Sequence, residues 1–234
     1  MLELLLLFVL LLFTALARYL IYGAFEPLSF TMIFLLPIAA VVMFLISKKL
    51  ADKERSYFPK DIAGWSFYSL QKSLLIKKPL YEATVKRGYI KRYFPQKWQY
   101  VFGDIFGENW YLCLDIEIDQ TNYDVRWYRE KRLSNQDQWK IYKNGKQIGN
   151  ATTQINVTNT TKLKEAITYK FNEIEYSSSA STLTSKISLT NNEELFATLK
   201  QNNLMSNVKV IDSKQSNQEH IVALILHSYY FKNK

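Results

Sequence analysis

Two patterns of apolar and polar positions divide the chain. Through residues 1–47 the side chains are almost wholly apolar, and only Glu3, Arg18 and Glu26 carry charge. Beyond them, short runs alternate apolar with polar residues and are punctuated by Asn, Asp, Gly and Thr. The first pattern predicts helices in an apolar medium, and the second predicts strands with one buried face.

Leu28–Ile46 (LSFTMIFLLPIAAVVMFLI) holds 19 residues and no charge. At 1.5 Å per residue it reaches ~28 Å, close to the ~30 Å hydrocarbon thickness of a bilayer. Pro37 lies inside it and predicts a kink rather than a break. Leu4–Ala17 alone, at ~21 Å, is too short to cross. Continued through Tyr19–Phe25 it suffices, which gives two spans of about 4–25 and 28–46. Arg18 then lies near the far end, where its guanidinium can reach the headgroups. Gly23–Ser29 is short enough to join antiparallel neighbours, so residues 1–47 are expected to form a transmembrane hairpin. A cleaved signal peptide fits poorly, because no Lys or Arg precedes Arg18.

Charge sharpens this picture. The net charge is +9, and residues 48–97 alone hold thirteen Lys/Arg against four Asp/Glu. Lys48, Lys49, Lys53 and Arg55 directly follow the second span, which favours the cytoplasmic side for the rest of the chain. The expected placement is a multi-pass protein of the plasma membrane with a cytoplasmic domain. Residues 48–78 read as a basic connector, whose Trp65, Phe67, Tyr68, Leu74, Leu75 and Ile76 either lie at the interface or dock on the domain. The same charges either fix topology alone or also hold anionic lipid, at ~1 kcal/mol per basic residue. On the second reading the lipid-contact candidates are Lys77, Lys78, Lys86, Arg87, Lys91, Arg92 and Lys97, with Tyr93 and Trp98 at the interface. Basic and aromatic residues interleaved in this way also suit nucleic acid. No nucleic-acid module accompanies them, and none is expected as a partner.

From Tyr81 onward strands dominate. The predicted runs are Trp110–Ile118, Tyr123–Glu130, Gln138–Lys143, Lys146–Ala151, Glu173–Ser178, Leu183–Leu189, Leu195–Leu199 and Val208–Ile211. Asn144-Gly145 between two of them is a strong hairpin signal. Strands at this density predict a barrel or sandwich over residues 79–234. Lys162–Asn172 is expected as a helix after Thr160-Thr161. A second helix is expected at the C-terminus, opened by a capping box at Ser216-Asn-Gln-Glu219. Its Ile221–Leu226 stretch is apolar on every side, and such a helix is buried. It is too short to span a bilayer, so enclosure by strands is the economical solution. His220 and His227 share a face, without the companions of a metal site.

The segment Trp139-Lys-Ile-Tyr-Lys-Asn-Gly-Lys-Gln-Ile-Gly149 and the helix Ile221–Phe231 resemble the tubby C-terminal domain superfamily, which includes the phospholipid scramblases and LURP-one-like proteins. The whole chain resembles bacterial membrane-anchored members. The resemblance covers roughly Tyr81–Lys234 and implies an α+β domain, a closed antiparallel β-barrel enclosing a hydrophobic C-terminal helix. Eukaryotic members bind phosphoinositides through Lys and Arg, but no matching basic motif is present here to carry over.

Enzyme signatures are missing. There is no Gly-rich phosphate loop, no G-x-S-x-G and no Cys/His zinc spacing. Asp115, Glu117 and Asp119 alternate along one strand and read as a solvated face rather than a cation site. Lone Cys113 reads as a reduced core thiol. A non-enzymatic integral membrane protein without cofactor or metal is expected, binding anionic phospholipid headgroups or a membrane-associated protein. The alternatives are a scaffold subunit of a membrane complex and a scramblase-like lipid-translocating protein.

Overall fold

The computed structural model describes residues 2–23, 27–70, 75–100, 111–129, 136–154, 164–181, 186–202, 206–214 and 217–230. The chain forms two compact units, Met1–Lys53 and Glu54–Lys234.

The first unit is built on helix α1 (Leu2–Tyr22) and on helix α2 (Pro27–Arg55), whose last residues belong to the second unit. Both are long and apolar enough to cross a membrane. Gly23 closes α1 with a left-handed φ of 63° and donates its N–H to Tyr19 O at 2.8 Å. Pro27 opens α2, where its missing N–H costs nothing. α2 thus takes in Leu28 and Ser29, where the expected span of 28–46 begins and the expected turn of 23–29 ends. Thr14 and Thr31 turn their hydroxyls back to the carbonyls of Leu11 and Pro27, which satisfies both groups without water. The helices touch edge to face at Phe8 and Phe34, 5.6 Å apart. Most of their apolar side chains are exposed, with Leu20 at 82 %. Such a surface suits lipid rather than water. α2 runs 29 residues, ~44 Å, and so outlasts the apolar stretch to carry Lys48, Lys49, Lys53 and Arg55 on its final turns.

The second unit is a closed barrel of twelve antiparallel strands. They are β1 (Trp65–Tyr68), β2 (Lys78–Glu82), β3 (Val85–Tyr93), β4 (Cys113–Ile118), β5 (Thr121–Tyr128) and β6 (Gln138–Lys143). The second half comprises β7 (Lys146–Thr153), β8 (Lys164–Phe171), β9 (Ile174–Ser181), β10 (Ile187–Asn191), β11 (Glu194–Gln201) and β12 (Val208–Ser213). Each strand pairs with its neighbour in sequence, and β1 closes the ring on β12 through Trp65↔Ile211 to Tyr68↔Val208. Alternation sets the faces: Leu114, Ile116 and Ile118 are fully buried while Asp115 and Glu117 between them face outward.

One rim is built of tight turns. Asp119-Gln120, Asn144-Gly145, Asn172-Glu173 and Asn192-Glu193 all have both residues at positive φ, the twist that two-residue hairpins need. The opposite rim carries the longer connections. α3 (Gln218–Tyr230) runs through the interior from the tight-turn rim to the loop rim. Its residues from His220 to His227 are all buried.

Three expectations are corrected. Lys164–Phe171 is strand β8 and not a helix: Ile167, Tyr169 and Phe171 point inward at every second position, and that burial outweighs the helix propensity of Lys, Glu and Ala. Trp65–Tyr68, inside the segment expected as connector, is a barrel strand, and Lys78 already begins β2. The cap of α3 is Asn217, whose Oδ1 accepts from Glu219 N at 2.9 Å. Ser216 lies outside the described residues, as do the expected boundaries at Trp110, Glu130 and Leu183.

Gly149 ends the quoted tubby-like segment for a steric reason. A Cβ there would lie 2.2 Å from Lys170 O on β8. Gly149→Ala is expected to destabilise the barrel by about 1–3 kcal/mol. Glu193→Gly removes a left-handed non-glycine residue and is expected to stabilise by up to about 1 kcal/mol. Thermal unfolding of the two full-length variants in detergent checks the opposite signs.

Candidate functional site

The chain enters the barrel unit at the loop rim. Glu54, the first residue of that unit, is fully buried there. Its Oε1 accepts from Leu70 N at 2.8 Å and from the Lys78 ammonium at 3.1 Å. Lys78 faces inward because it shares the parity of Leu80, and it lies 5.3 Å over the ring of Tyr229 near the end of α3. Burial, the largest influence, pulls the Lys78 amine below the ordinary lysine range; nearby Arg92 adds to this and Glu54 opposes it. Arg92 faces inward on β3 and is also buried, 5.3 Å from the Phe94 ring. Lys78 and Arg92 are thus interior residues and cannot meet a headgroup. Their charge misled the sequence reading, although their alternation with Leu80 and Ile90 marks the inward face.

A second polar cluster pins the end of α3 at the same rim. Asp137 accepts from Trp127 Nε1 at 2.8 Å and from the Tyr230 hydroxyl, and Arg129 lies 3.8 Å away.

The remaining sequence candidates divide between the two rims. Lys86 and Arg87 lie toward the tight-turn rim, where Arg87 pairs with Glu82 at 2.9 Å and Asp119 at 3.4 Å. Lys77, Lys97 and Trp98 are exposed at the loop rim, joined by exposed Leu75 and Tyr100. Lys77 sits 4.0 Å over the Tyr89 ring. The hydroxyl of Tyr100 both accepts from Phe94 N and donates to Phe94 O, each at 3.1 Å, which holds the 94–100 turn in place.

Just beyond this rim, the outer face of β3–β5 carries an open cavity of about 370 Å³. Lys91 and Tyr93 of β3 line it, with Asp115 of β4, Asn122, Asp124 and Arg126 of β5, and Leu75 and Tyr100 from the rim. Asp115 and Asp124 are direct cross-strand partners, a like-charge pair that costs stability unless compensated. The compensation is visible. Asp124 accepts from Tyr93 OH at 2.5 Å and Arg126 Nε at 2.6 Å. Asp115 accepts from Asn122 Nδ2 at 2.7 Å and more weakly from Tyr89 OH at 3.4 Å. Burial and the Asp124 carboxylate hold the Tyr93 hydroxyl protonated, well above the ordinary tyrosine value. Sequence reasoning found Lys91 and Tyr93 but missed Asn122, Asp124 and Arg126, because only the register brings β3 and β5 to one cavity.

The interior holds groups of a different kind. His227 Nδ1 lies 2.5 Å from Ser178 Oγ, and both side chains are fully buried. Burial drives the His227 imidazole down to about 3 and lowers that of His220, whose ring contacts Tyr176 and Phe196. Cys113 is buried, accepts from Trp127 N at 3.3 Å, and has its thiol pushed up to about 11 by burial. A thiol so raised is a poor nucleophile. Among the described residues no group of three His, Cys, Asp or Glu is placed to hold a metal.

A closed twelve-stranded barrel threaded by its own apolar C-terminal helix defines the class of protein. The family model described as Tubby C-terminal like domain matches residues 70–233, and the chain belongs to that family. No curated protein and no solved structure matches it. Strand β1 falls just outside the matched residues, yet it closes the barrel.

Two measurements follow from the buried groups. Glu54→Ala strands the Lys78 ammonium and is expected to cost about 3–5 kcal/mol, whereas Glu54→Leu combined with Lys78→Met restores most of the loss. Denaturant unfolding of the single and double variants checks this. The histidines set an acid limit. Below their ordinary value of 6.5 the unfolded chain binds protons that the folded barrel refuses, so stability is full above pH 6.5 and falls as pH drops toward 3. For His227 the slope approaches about 1.4 kcal/mol per pH unit in this window, and His220 acts in the same direction. His227→Gln is expected to flatten the decline in unfolding midpoint between pH 7 and 5.

Proposed function

We propose that the protein is a non-enzymatic, multi-pass protein of the plasma membrane. Its loop rim rests on the cytoplasmic leaflet and binds anionic phospholipid headgroups. The observation that carries the reading is the composition of that rim. Exposed Leu75, Trp98 and Tyr100 stand beside Lys77 and Lys97 at the end of the barrel where the chain enters from α2. Aromatic rings favour the headgroup layer, and lysines beside them gain ~1 kcal/mol each from an anionic surface. The exposed basic turns at the end of α2 support the cytoplasmic orientation. The non-enzymatic character is supported by the sealing of Ser178 and His227 inside the wall, out of reach of a substrate, and by the burial of the Cys113 thiol.

The test uses the full chain in nanodiscs of neutral lipid with or without anionic lipid. Hydrogen exchange in residues 94–100 is expected to slow about tenfold with anionic lipid and to recover as salt rises. The double variant Lys77→Glu, Lys97→Glu is expected to lose the effect. Identical exchange in both lipids refutes headgroup binding. In cells, a Lys60→Cys variant is expected to react with an impermeant thiol reagent only from the cytoplasmic side, since buried Cys113 does not compete. Labelling from outside reverses the orientation.

A further inference from the structure

The cavity on β3–β5 has a charge pattern that an anion alone does not match. Its register forms a small grid. Lys91, Asp115 and Asp124 are aligned across β3, β4 and β5, and Tyr93, Cys113 and Arg126 form the next row toward the loop rim. Neighbouring strands stand ~4.8 Å apart, so Asp115 lies between Lys91 on one side and Asp124 on the other, and Arg126 lies beyond Asp124 along β5.

The binding capacity follows from the bonds already made. Each oxygen of Asp115 and Asp124 accepts one protein donor, and each retains a second lone pair. The half-buried Lys91 ammonium makes no hydrogen bond or ion pair with the described residues. Arg126 spends its Nε on Asp124, lies 4.9 Å over the Tyr142 ring and is 58 % exposed. Paired acceptors thus lie beside an unengaged cation. An anion alone would be repelled by the two aspartates, and an ammonium alone would leave Lys91 unmatched.

The geometry points to a zwitterionic ligand in which a primary ammonium and a phosphate are joined by a short linker, the phosphoethanolamine headgroup. Its ammonium donates to Asp115 and Asp124, and its phosphate meets Lys91. A choline headgroup has no N–H to donate, and a glycerol headgroup has no cation. Leu75 and Tyr100 form the side of the cavity nearest the loop rim, which gives the acyl chains an exit toward the leaflet. This inference rests on the loop rim facing the membrane, as proposed above, and it names the lipid that the neighbouring cavity selects.

The experiment is native mass spectrometry of the full chain, titrated in phosphatidylcholine nanodiscs with phosphatidylethanolamine, phosphatidylglycerol or soluble O-phosphoethanolamine. Hydrogen exchange across residues 113–126 is followed in parallel. Phosphatidylethanolamine is expected to bind at least tenfold more tightly than the other two lipids and to slow exchange at β4 and β5. Lys91→Gln, which breaks no existing bond, and Asp115→Asn are each expected to weaken it about tenfold. An unfolding midpoint for each variant separates loss of the site from loss of the fold. Equal binding of phosphatidylglycerol overturns the inference while leaving the anionic-leaflet reading intact. Phosphatidylethanolamine binding no tighter than phosphatidylcholine overturns it as well. Saturation by soluble O-phosphoethanolamine with no response to the lipid overturns the lipid as its source. The leaflet reading fails by a different signal, the unchanged exchange of residues 94–100.

Discussion

A helix with no polar side is unstable in water, and α3 is stable only because twelve strands close around it. Burying six consecutive apolar residues, Ile221 to Leu226, demands a wall on every side and demands that the wall have no open edge. The β1–β12 pair supplies the closure. The inward positions of the strands follow from it. Leu80, Ile90, Ile116, Val125, Ile141, Ile167, Leu189, Leu199 and Ile211 all face the helix, and the polar residues between them face out.

Apolar contact alone does not fix how the helix sits along the barrel axis. Polar bonds at three levels do. Tyr123 reaches Gln218 at 3.0 Å near the tight-turn rim, Tyr169 donates to Ala223 O at 2.9 Å in the middle, and Tyr230 meets Asp137 at the loop rim. A slide of one turn would break all three bonds and leave buried donors unpaired, at about 1–3 kcal/mol each. The buried Glu54–Lys78 pair adds specificity of the same kind where the chain enters, rather than much net stability.

How far the sequence disclosed this structure depended on whether a signal was local. The hairpin at Asn144-Gly145, the strands on either side of it and the all-round apolar helix were legible because each has its own short signature. Lys162–Asn172 reads as a helix because its residues favour one, and only the pairing of Lys164–Phe171 with β7 and β9 reveals the strand. Trp65–Tyr68 was legible as apolar but not as a strand, because its partner β12 lies at the far end of the chain. The candidate site was legible in the same uneven way. Lys91 and Tyr93 stood out as a basic-aromatic pair, whereas Lys78 and Arg92 were indistinguishable from surface cations until the parity of β2 and β3 turned them inward. Asp115 reads as part of a solvated strand face, because its meaning depends on its cross-strand neighbours Lys91 and Asp124.

The pairing of β1 with β12 also shapes how the protein is made. A strand near residue 65 waits for one near residue 210, so the ring cannot shut until β12 has left the ribosome. Partnerships so distant in sequence form slowly, and until they form, β1 and the inner faces of the growing sheet are open to other chains. α3 emerges last, and its entry and the closure of the ring must be nearly concerted. Nascent chains of this design are therefore most vulnerable to aggregation in the interval before β12 and α3 appear.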